Sequence, residues 1–419
     1  MKGFISLLLL FGLCTQINSQ KKCETAQYYK DEIRINPDAE KKYKAVEEFT
    51  NHYINSQNND QQARIAVSSV IKIPVVVHVL YHNPGNKISD DLIRSQIDVL
   101  NQDFRRRNAD TSLTPAAFRN VAADCEIEFY LATSDPRQYS TTGIIQKYTP
   151  IKDWGKDNYK MMSDEEYGSS TWDSKSYLNI WVCNLSGVAA YSTIPGSDPK
   201  KDGVVIDFSA FGVNKQNSGY DYGRTVVHEI GHWLNLMHIW GDSNCGDDGV
   251  SDTPPQANYT MGCPTEVRTS CNNGAAGNMY MNYMDFTDDA CMNMFTKGQK
   301  ARMRSLFAAG GARESMLNSK GLNPPLFISS PTELPDPKWL FTKIYPNPAI
   351  DKMIINVEHD TRWIGKTINV TNMNGVLLMK ILISSANQEV NISSLQSGVY
   401  ILSAKKEDGE IIRHKFLKM

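Results

Sequence analysis

Between Thr225 and His238 the chain reads Thr-Val-Val-His-Glu-Ile-Gly-His-Trp-Leu-Asn-Leu-Met-His, and four of these residues could do chemistry together. His228 and His232 are four apart, so on a helix their imidazoles leave one face a single turn apart, close enough to hold one tetrahedral metal ion such as zinc. Glu229 lies beside them and is not needed as a ligand. Its carboxylate can take a proton from a water activated by the metal, as hydrolysis of an unactivated amide at neutral pH demands. His238 lies six residues past His232, which on a continuous helix would carry it about 240° round, away from the ion. The helix must therefore end between them. Asn235 is the residue for that turn, because asparagine tolerates the left-handed conformation that closes a helix. The bland account, two core histidines on an amphipathic helix, would leave Glu229 as a carboxylate on the buried side with nothing to pair it.

Such a site needs a frame, and the sequence ahead of it supplies strands. Ile71 opens Ile-Lys-Ile-Pro-Val-Val-Val-His-Val-Leu-Tyr, a buried strand by its density of β-branched residues. Ser89 caps a helix that carries Leu92, Ile93, Ile97, Leu100 and Phe104 on one face. Cys125–Ala132, Thr142–Tyr148 and Tyr177–Cys183 are strand-like. Val204–Asp207 leads through a loop with Gly212, Gly219 and Gly223 into the zinc helix. Strands mixed with long helices predict an α+β domain. His78 reads as a satisfied histidine of the sheet, and Cys125 and Cys183 could pair across it or stay buried thiols.

The flanks describe a chain made for export. Residues 1–19 carry one positive charge at Lys2 and an apolar run too short to span a bilayer, as a secretory signal does; Leu13 before Cys14 is too large for a lipoprotein cleavage site. The whole chain is 21% charged with a formal net charge of -2, which gives no electrostatic reason to bind nucleic acid. No later stretch is apolar enough to be a transmembrane segment. Of the 8 cysteines, Cys14 leaves with the signal and an odd number remain, bound for an oxidising compartment. Residues 20–63 are charged and helical in pattern, with Asn36-Pro37 opening a helix striped by Tyr43, Val46, Phe49 and Tyr53, and a polar run from Asn55 to Gln62 that is easily nicked. This reads as a pro-segment. Cys23 lies in it, apart from the other six cysteines, and its thiolate could close the zinc site in place of water as a latency switch.

The zinc stretch resembles the extended His-Glu-x-x-His-x-x-Gly-x-x-His pattern of the metzincin metallopeptidases, with Asn235 where most carry glycine. With Ser251-Asp-Thr-Pro, and with Asn282-Tyr-Met-Asp-Phe-Thr-Asp-Asp-Ala-Cys running on to Phe295-Thr-Lys-Gly-Gln, it resembles the pappalysin family and its bacterial cytophagalysin branch. The resemblance implies a zincin-like catalytic domain with a twisted mixed sheet and an active-site helix. It implies that Met284 floors the three histidines in a Met-turn. Cys245, Cys263, Cys271 and Cys291 allow three pairings, and the resemblance implies Cys245 with Cys271 and Cys263 with Cys291. Asp247, Asp248, Asp252 and Thr253 fall where relatives bind a structural calcium. Phe286 stands where relatives often have a tyrosine that donates to the tetrahedral intermediate. Asp289 falls in the pocket for the residue after the scissile bond, where a carboxylate wants an arginine or lysine partner. The Ala63-Arg64 bond offers arginine in that place.

A Pro-rich linker, residues 321–340, precedes a last domain, 341–419, of short alternating strands between Asn-Gly, Ser-Gly and Asp-Gly turns, as in a small all-β sandwich. Tyr345-Pro-Asn-Pro, Gly398-Val-Tyr and Lys415-Phe-Leu-Lys resemble the C-terminal sorting domain of type IX secretion cargo. That implies a Gram-negative host, the type IX machinery as a partner, and a product secreted or held at the cell surface. The catalytic domain then covers 64–320. The whole predicts a latent zinc endopeptidase acting on proteins or peptides. A non-catalytic surface adhesin with a structural zinc is the rival, and it would need a fourth protein ligand closing the site. An amidase of small amides would use the same residues.

Overall fold

The computed structural model describes residues 23–59, 70–83, 86–155, 159–214, 219–328, 343–357, 365–385, 387–405 and 411–419. The expected signal peptide, the Ala63-Arg64 bond and most of the expected linker lie outside them.

Two helices lead, α1 (Thr25–Ile35) and α2 (Pro37–Asn59). The domain behind them runs β1 (Ile71–Tyr81), α3 (Asp90–Phe104), β2 (Ala122–Ala123), β3 (Ile127–Leu131), β4 (Ile144–Tyr148), β5 (Leu178–Cys183), β6 (Ala190–Ser192), β7 (Val204–Asp207), α4 (Arg224–Trp233), β8 (Phe295–Thr296) and α5 (Lys297–Ser305). Its main sheet has the order β3-β1-β5-β7-β6, with β4 also paired to β1. β3 takes Ile71–Val75 and β4 takes Val77–Tyr81, both parallel. β5 and β7 continue the parallel array, and β6 closes it antiparallel at the edge. A strand deep in a parallel sheet is covered on both faces, which is why β1 reads as a near-continuous apolar run and is buried from Ile73 to Leu80. The three residues of β6 are too few to carry a period, so this edge was not legible beforehand.

One core joins the sheet to the helices: Ile73, Val75 and Val77 of β1, Ile93, Leu100 and Phe104 of α3, and Val227, Ile230 and Trp233 of α4. Ser89 Oγ accepts the Leu92 amide and starts α3 as its sequence predicts. On the opposite face of the sheet Tyr28 of α1 packs with Leu80, Trp181, Tyr191 and Val205. α2 begins at Asn36-Pro37 and runs on to Asn59, into the polar stretch expected to be an exposed connection. His78 has a hydrogen-bond partner at each ring nitrogen, Ser169 Oγ at 2.8 Å and Asn179 Oδ1 at 3.1 Å, and it stacks on Trp181. Cys125 and Cys183 are separate buried thiols.

Gly321 to Phe327, expected to open the linker, still hold to this domain: Gly321 O accepts from Thr133 N at 2.8 Å and Phe327 O from Ser140 N at 2.8 Å. The last domain has its own core of Met353, Ile355, Val370, Ile383, Leu402 and Phe416. It contains β9 (Lys343–Tyr345), β10 (Lys352–Asn356), β11 (Thr367–Asn372), β12 (Leu377–Leu382), β13 (Asn387–Asn391), β14 (Gly398–Lys405) and β15 (Ile411–Lys418). They form two antiparallel sheets, β13-β10-β9 and β12-β11-β14-β15.

Candidate active site

Every residue of α4 is buried, so its charged members must be answered by specific partners. At its start, Gly223 takes φ 73° and offers no side chain to cap the helix. Asp289 does so instead: its Oδ2 accepts from Tyr222 N at 3.1 Å and Arg224 N at 3.0 Å, placing a carboxylate at the positive end of the helix. Arg224 in turn donates to Asp103 Oδ2 at 3.2 Å and to Asp289 O at 2.7 Å. At its end, Trp233 donates to Asp202 Oδ1 at 2.9 Å, and Arg313 lies 3.5 Å over the indole while pairing with the same Asp202.

Asn235 has φ 71°, the left-handed turn its position predicts. The chain reverses there with Leu236 N donating to Gly231 O at 2.9 Å, and His238 is brought back to the other two histidines. Each imidazole is held from behind at Nδ1. His228 Nδ1 donates to Tyr283 O at 2.6 Å, His232 Nδ1 to Leu236 O at 2.8 Å, and His238 Nδ1 to Asp242 Oδ1 at 2.5 Å. A ring that donates through Nδ1 turns a lone pair inward at Nε2, the outer-sphere arrangement of metal-bound histidines. The inward atoms converge: His232 Nε2 is 3.1 Å from His228 Nε2 and 3.0 Å from His238 Nε2. Tetrahedral zinc ligands lie about 3.3 Å apart, so the three nitrogens fit one such ion. Burial, then His238, pushes the His232 pKa down to about 3, leaving a neutral donor where a cation is wanted.

Met284 packs against the helix at Gly231. A Cβ on Gly231 would fall 2.4 Å from Met284 Sδ, so the glycine between the two ligand histidines is what lets the thioether approach the helix. Phe286 and Trp240 wall the site, with Trp240 stacked on His238 at 4.3 Å. The tyrosine hydroxyl that the resemblance leads one to expect has no counterpart at Phe286.

Cys23 reaches the same centre. Its Sγ and one ligand atom from each of His228, His232 and His238 all lie within 4.8 Å of one another; among the described residues no other such group of three or more is found. Burial and the nearby Glu229 push the Cys23 thiol well up, so an anionic sulfur there requires a cation beside it. Glu229 is fully buried, and its Oε2 accepts from Thr25 Oγ1 at 2.8 Å.

The four calcium candidates do not converge in this way. Asp247 Oδ1 accepts from Gly249 N at 2.8 Å, Asp248 Oδ2 from Thr253 Oγ1 at 2.8 Å, and Asp252 Oδ2 from Gly298 N at 2.9 Å. The disulfides join Cys245 to Cys271 and Cys263 to Cys291. Sequence reasoning missed Asp242, although its place four residues past His238 is that of a ring partner, and it missed Thr25, which carries no motif.

Two inward imidazoles from one helix, a third returned by the turn that ends it, a carboxylate beside them and a methionine against the helix, next to a mixed sheet, define a zinc metalloendopeptidase of the metzincin fold. Residues 161–308 match the peptidase domain described as pregnancy-associated plasma protein-A, and the chain belongs to that family, the pappalysins. Residues 343–418 match the secretion system C-terminal sorting domain. An extracellular metalloprotease of Arthroderma benhamiae is 28% identical over 298 residues, covering 68% of this chain and 87% of its own. One of Verticillium alfalfae is 30% identical over 260 residues, covering 60% and 82%. Among solved structures, the mature mirolysin of Tannerella forsythia in complex with a cleaved peptide is 47% identical, with a TM-score of 0.59, over 61% of this chain and 100% of that one. A promirolysin mutant of the same organism is 42% identical, with a TM-score of 0.64, over 71% and 97%. The chain is thus a secreted metallopeptidase whose tail addresses it to type IX secretion, with zinc as the cofactor its family implies and protein or peptide as substrate. Family membership sets the adhesin reading aside. No helix among the described residues is long and apolar enough to cross a membrane.

Proposed function

We propose that the protein is an endopeptidase made as a latent precursor, in which Cys23 closes the zinc site and Glu229 serves as general base once Cys23 has left. The convergence of Cys23 Sγ with the three imidazoles carries this reading. A fourth protein ligand would mark a structural site, but this one comes from the segment ahead of the domain and can depart with it. The similarity to a relative solved both as a mature enzyme and as a pro-form supports it.

His228, His232 and His238 would hold the ion, which when bound supplies a Lewis acid for the peptide carbonyl and for water. Glu229 takes the proton of the attacking water and returns it to the leaving amine. The outer edge of β6 offers backbone partners for an extended substrate. The pro-segment already uses them, with Glu24 N donating to Ala190 O at 3.1 Å and Ser192 N to Thr25 Oγ1 at 2.8 Å. The rim aromatics Trp240 and Phe286 exclude water from the metal side. Asp289, buried at the start of α4, favours arginine and then lysine after the scissile bond, and self-cleavage at Ala63-Arg64 would release the mature chain.

The loops of Asp247, Asp248, Asp252 and Thr253, whose carboxylates are engaged by amide and hydroxyl donors in the structure, would exchange some of these for calcium. Burial raises the Asp248 carboxyl to about 7, and Asp252 Oδ1 is buried with no hydrogen-bond partner; both are settled by a cation. The signal at 1–19, the pro-segment at 20–63, the peptidase domain at 64–320 and a Gram-negative host complete the proposal. Terminal sequencing, zinc content and peptidase rates of the precursor before and after processing test it. A silent precursor with one zinc, and a processed chain that begins at Arg64, are expected; a precursor as active as the processed chain overturns the latency.

A further inference from the structure

Thr25 is the first residue of α1, one past the cap position, which Glu24 occupies without a side-chain capping bond. The Thr25 hydroxyl is engaged elsewhere. It donates to Glu229 Oε2 at 2.8 Å and accepts from Ser192 N at 2.8 Å, and the residue is 3% exposed. Both bonds are of ordinary length, and one ends on a carboxylate, which makes it the stronger kind. The Thr25 backbone N–H donates to Cys23 Sγ at 3.3 Å.

From this geometry we infer that the pro-segment carries a second latch, directed at the catalytic base rather than at the metal. Three consecutive residues do three jobs: Cys23 meets the histidines, Glu24 pairs with the edge strand through Ala190 O, and Thr25 covers Glu229. A carboxylate oxygen that accepts the Thr25 proton is not available to orient and deprotonate water, whether or not Cys23 is on the metal. The Ser192 amide fixes the hydroxyl in place, so the latch does not depend on the sulfur. Release of Cys23 alone therefore leaves a partly closed enzyme, and full activity requires the strand from Cys23 to Thr25 to leave β6 together.

This rests on the latency proposed above, and the test separates the two. Full-length zinc-loaded precursors of the parent, Cys23→Ala, Cys23→Ala/Thr25→Val and Cys23→Ala/Thr25→Ser are assayed on a quenched peptide at early times, with intact mass confirming that no chain has been cut. Valine keeps the shape and removes the hydroxyl; serine keeps the hydroxyl and removes the methyl. The valine double variant should run roughly ten- to a hundredfold faster than Cys23→Ala, the span expected for losing one hydrogen bond to a buried charge, while the serine variant stays near Cys23→Ala. Equal rates for Cys23→Ala and the valine variant, or equal activation by serine and valine, overturn the latch. A parent precursor as fast as the processed enzyme overturns latency itself. Should the valine variant yield no folded precursor, Thr25→Ala takes its place with the same expected rates. After processing, all chains should share one kcat/KM, because Thr25 is then gone.

Discussion

Asn235 donates its side-chain amide to Thr50 Oγ1 at 3.1 Å, so the residue whose backbone ends the zinc helix also grips the leading helix α2. Beside it, Arg302 donates to Asn235 O at 3.2 Å and forms a two-pronged pair with Glu47 of α2 at 2.8 and 2.7 Å. Asn235, where the resemblance implies glycine, thus falls at a joint between the turn after α4 and the segment proposed above to be inhibitory. Asn235→Gly keeps the left-handed turn without strain and removes the amide. The variant should mature faster than the parent, while the processed enzyme keeps its activity within about twofold. Unchanged maturation in a time course followed by gel would remove Asn235 from the account of latency.

Glu229→Ala should retain about one zinc per chain, since the three imidazoles and their Nδ1 partners are untouched. Its kcat/KM should fall by on the order of 10³-fold or more. Comparable activity in a purified, zinc-replete variant would contradict a role as base.

Asp289 caps α4, and the specificity proposed above would give it a second role, so two substitutions separate the roles. Asp289→Ala should lose roughly 2 to 4 kcal/mol of discrimination for arginine after the cleaved bond, and stability with it. Asp289→Asn keeps an oxygen for the Tyr222 and Arg224 amides, so it should lose the preference and melt close to the parent. A peptide library read by mass spectrometry decides this; an unchanged preference in both variants would leave Asp289 with the cap alone.

His78 gives the fold an acid limit. Burial holds its pKa down to about 4, against 6.5 in an unfolded chain, so the unfolded state binds the extra proton between those values. The neutral ring's contribution is complete above pH 6.5 and is lost as the pH falls toward 4, by about 3 kcal/mol. Denaturant unfolding of the parent at pH 7 and pH 4.5, compared with His78→Gln, should show a smaller drop in the variant. Equal drops would place the acid sensitivity elsewhere.

Much of the site was legible because helical spacing and one forced turn fix it: His228, Glu229, His232, the break at Asn235 and the return of His238 follow from geometry alone. The long strands β1 and β5 were legible for a related reason, since burial on both faces leaves an unbroken apolar run. Edges were not. β6, with three residues, and β13, whose Asn-Gln-Glu-Val-Asn has a single apolar residue, are held by their neighbours rather than by their own composition. Thr25 and Asp289 illustrate a second limit. A hydroxyl that meets a carboxylate 204 positions away, and a carboxylate that caps a helix 65 positions before it, are contacts that only the folded chain defines.

The two disulfides interleave: Cys263 lies inside the loop closed by Cys245 and Cys271, and Cys271 inside the loop closed by Cys263 and Cys291. Any cut between residues 263 and 271 is therefore spanned by both bridges. Arg268 is exposed in that interval, and under the proposed preference the Val267-Arg268 bond is a target for neighbouring copies of the same enzyme. A nick there would free no fragment and leave the stretch around Met284 tethered on both sides. The crosslinks thus make the lobe tolerant of autolysis, and a population of worn molecules would run as two pieces on a reducing gel while remaining whole, and working, without reductant.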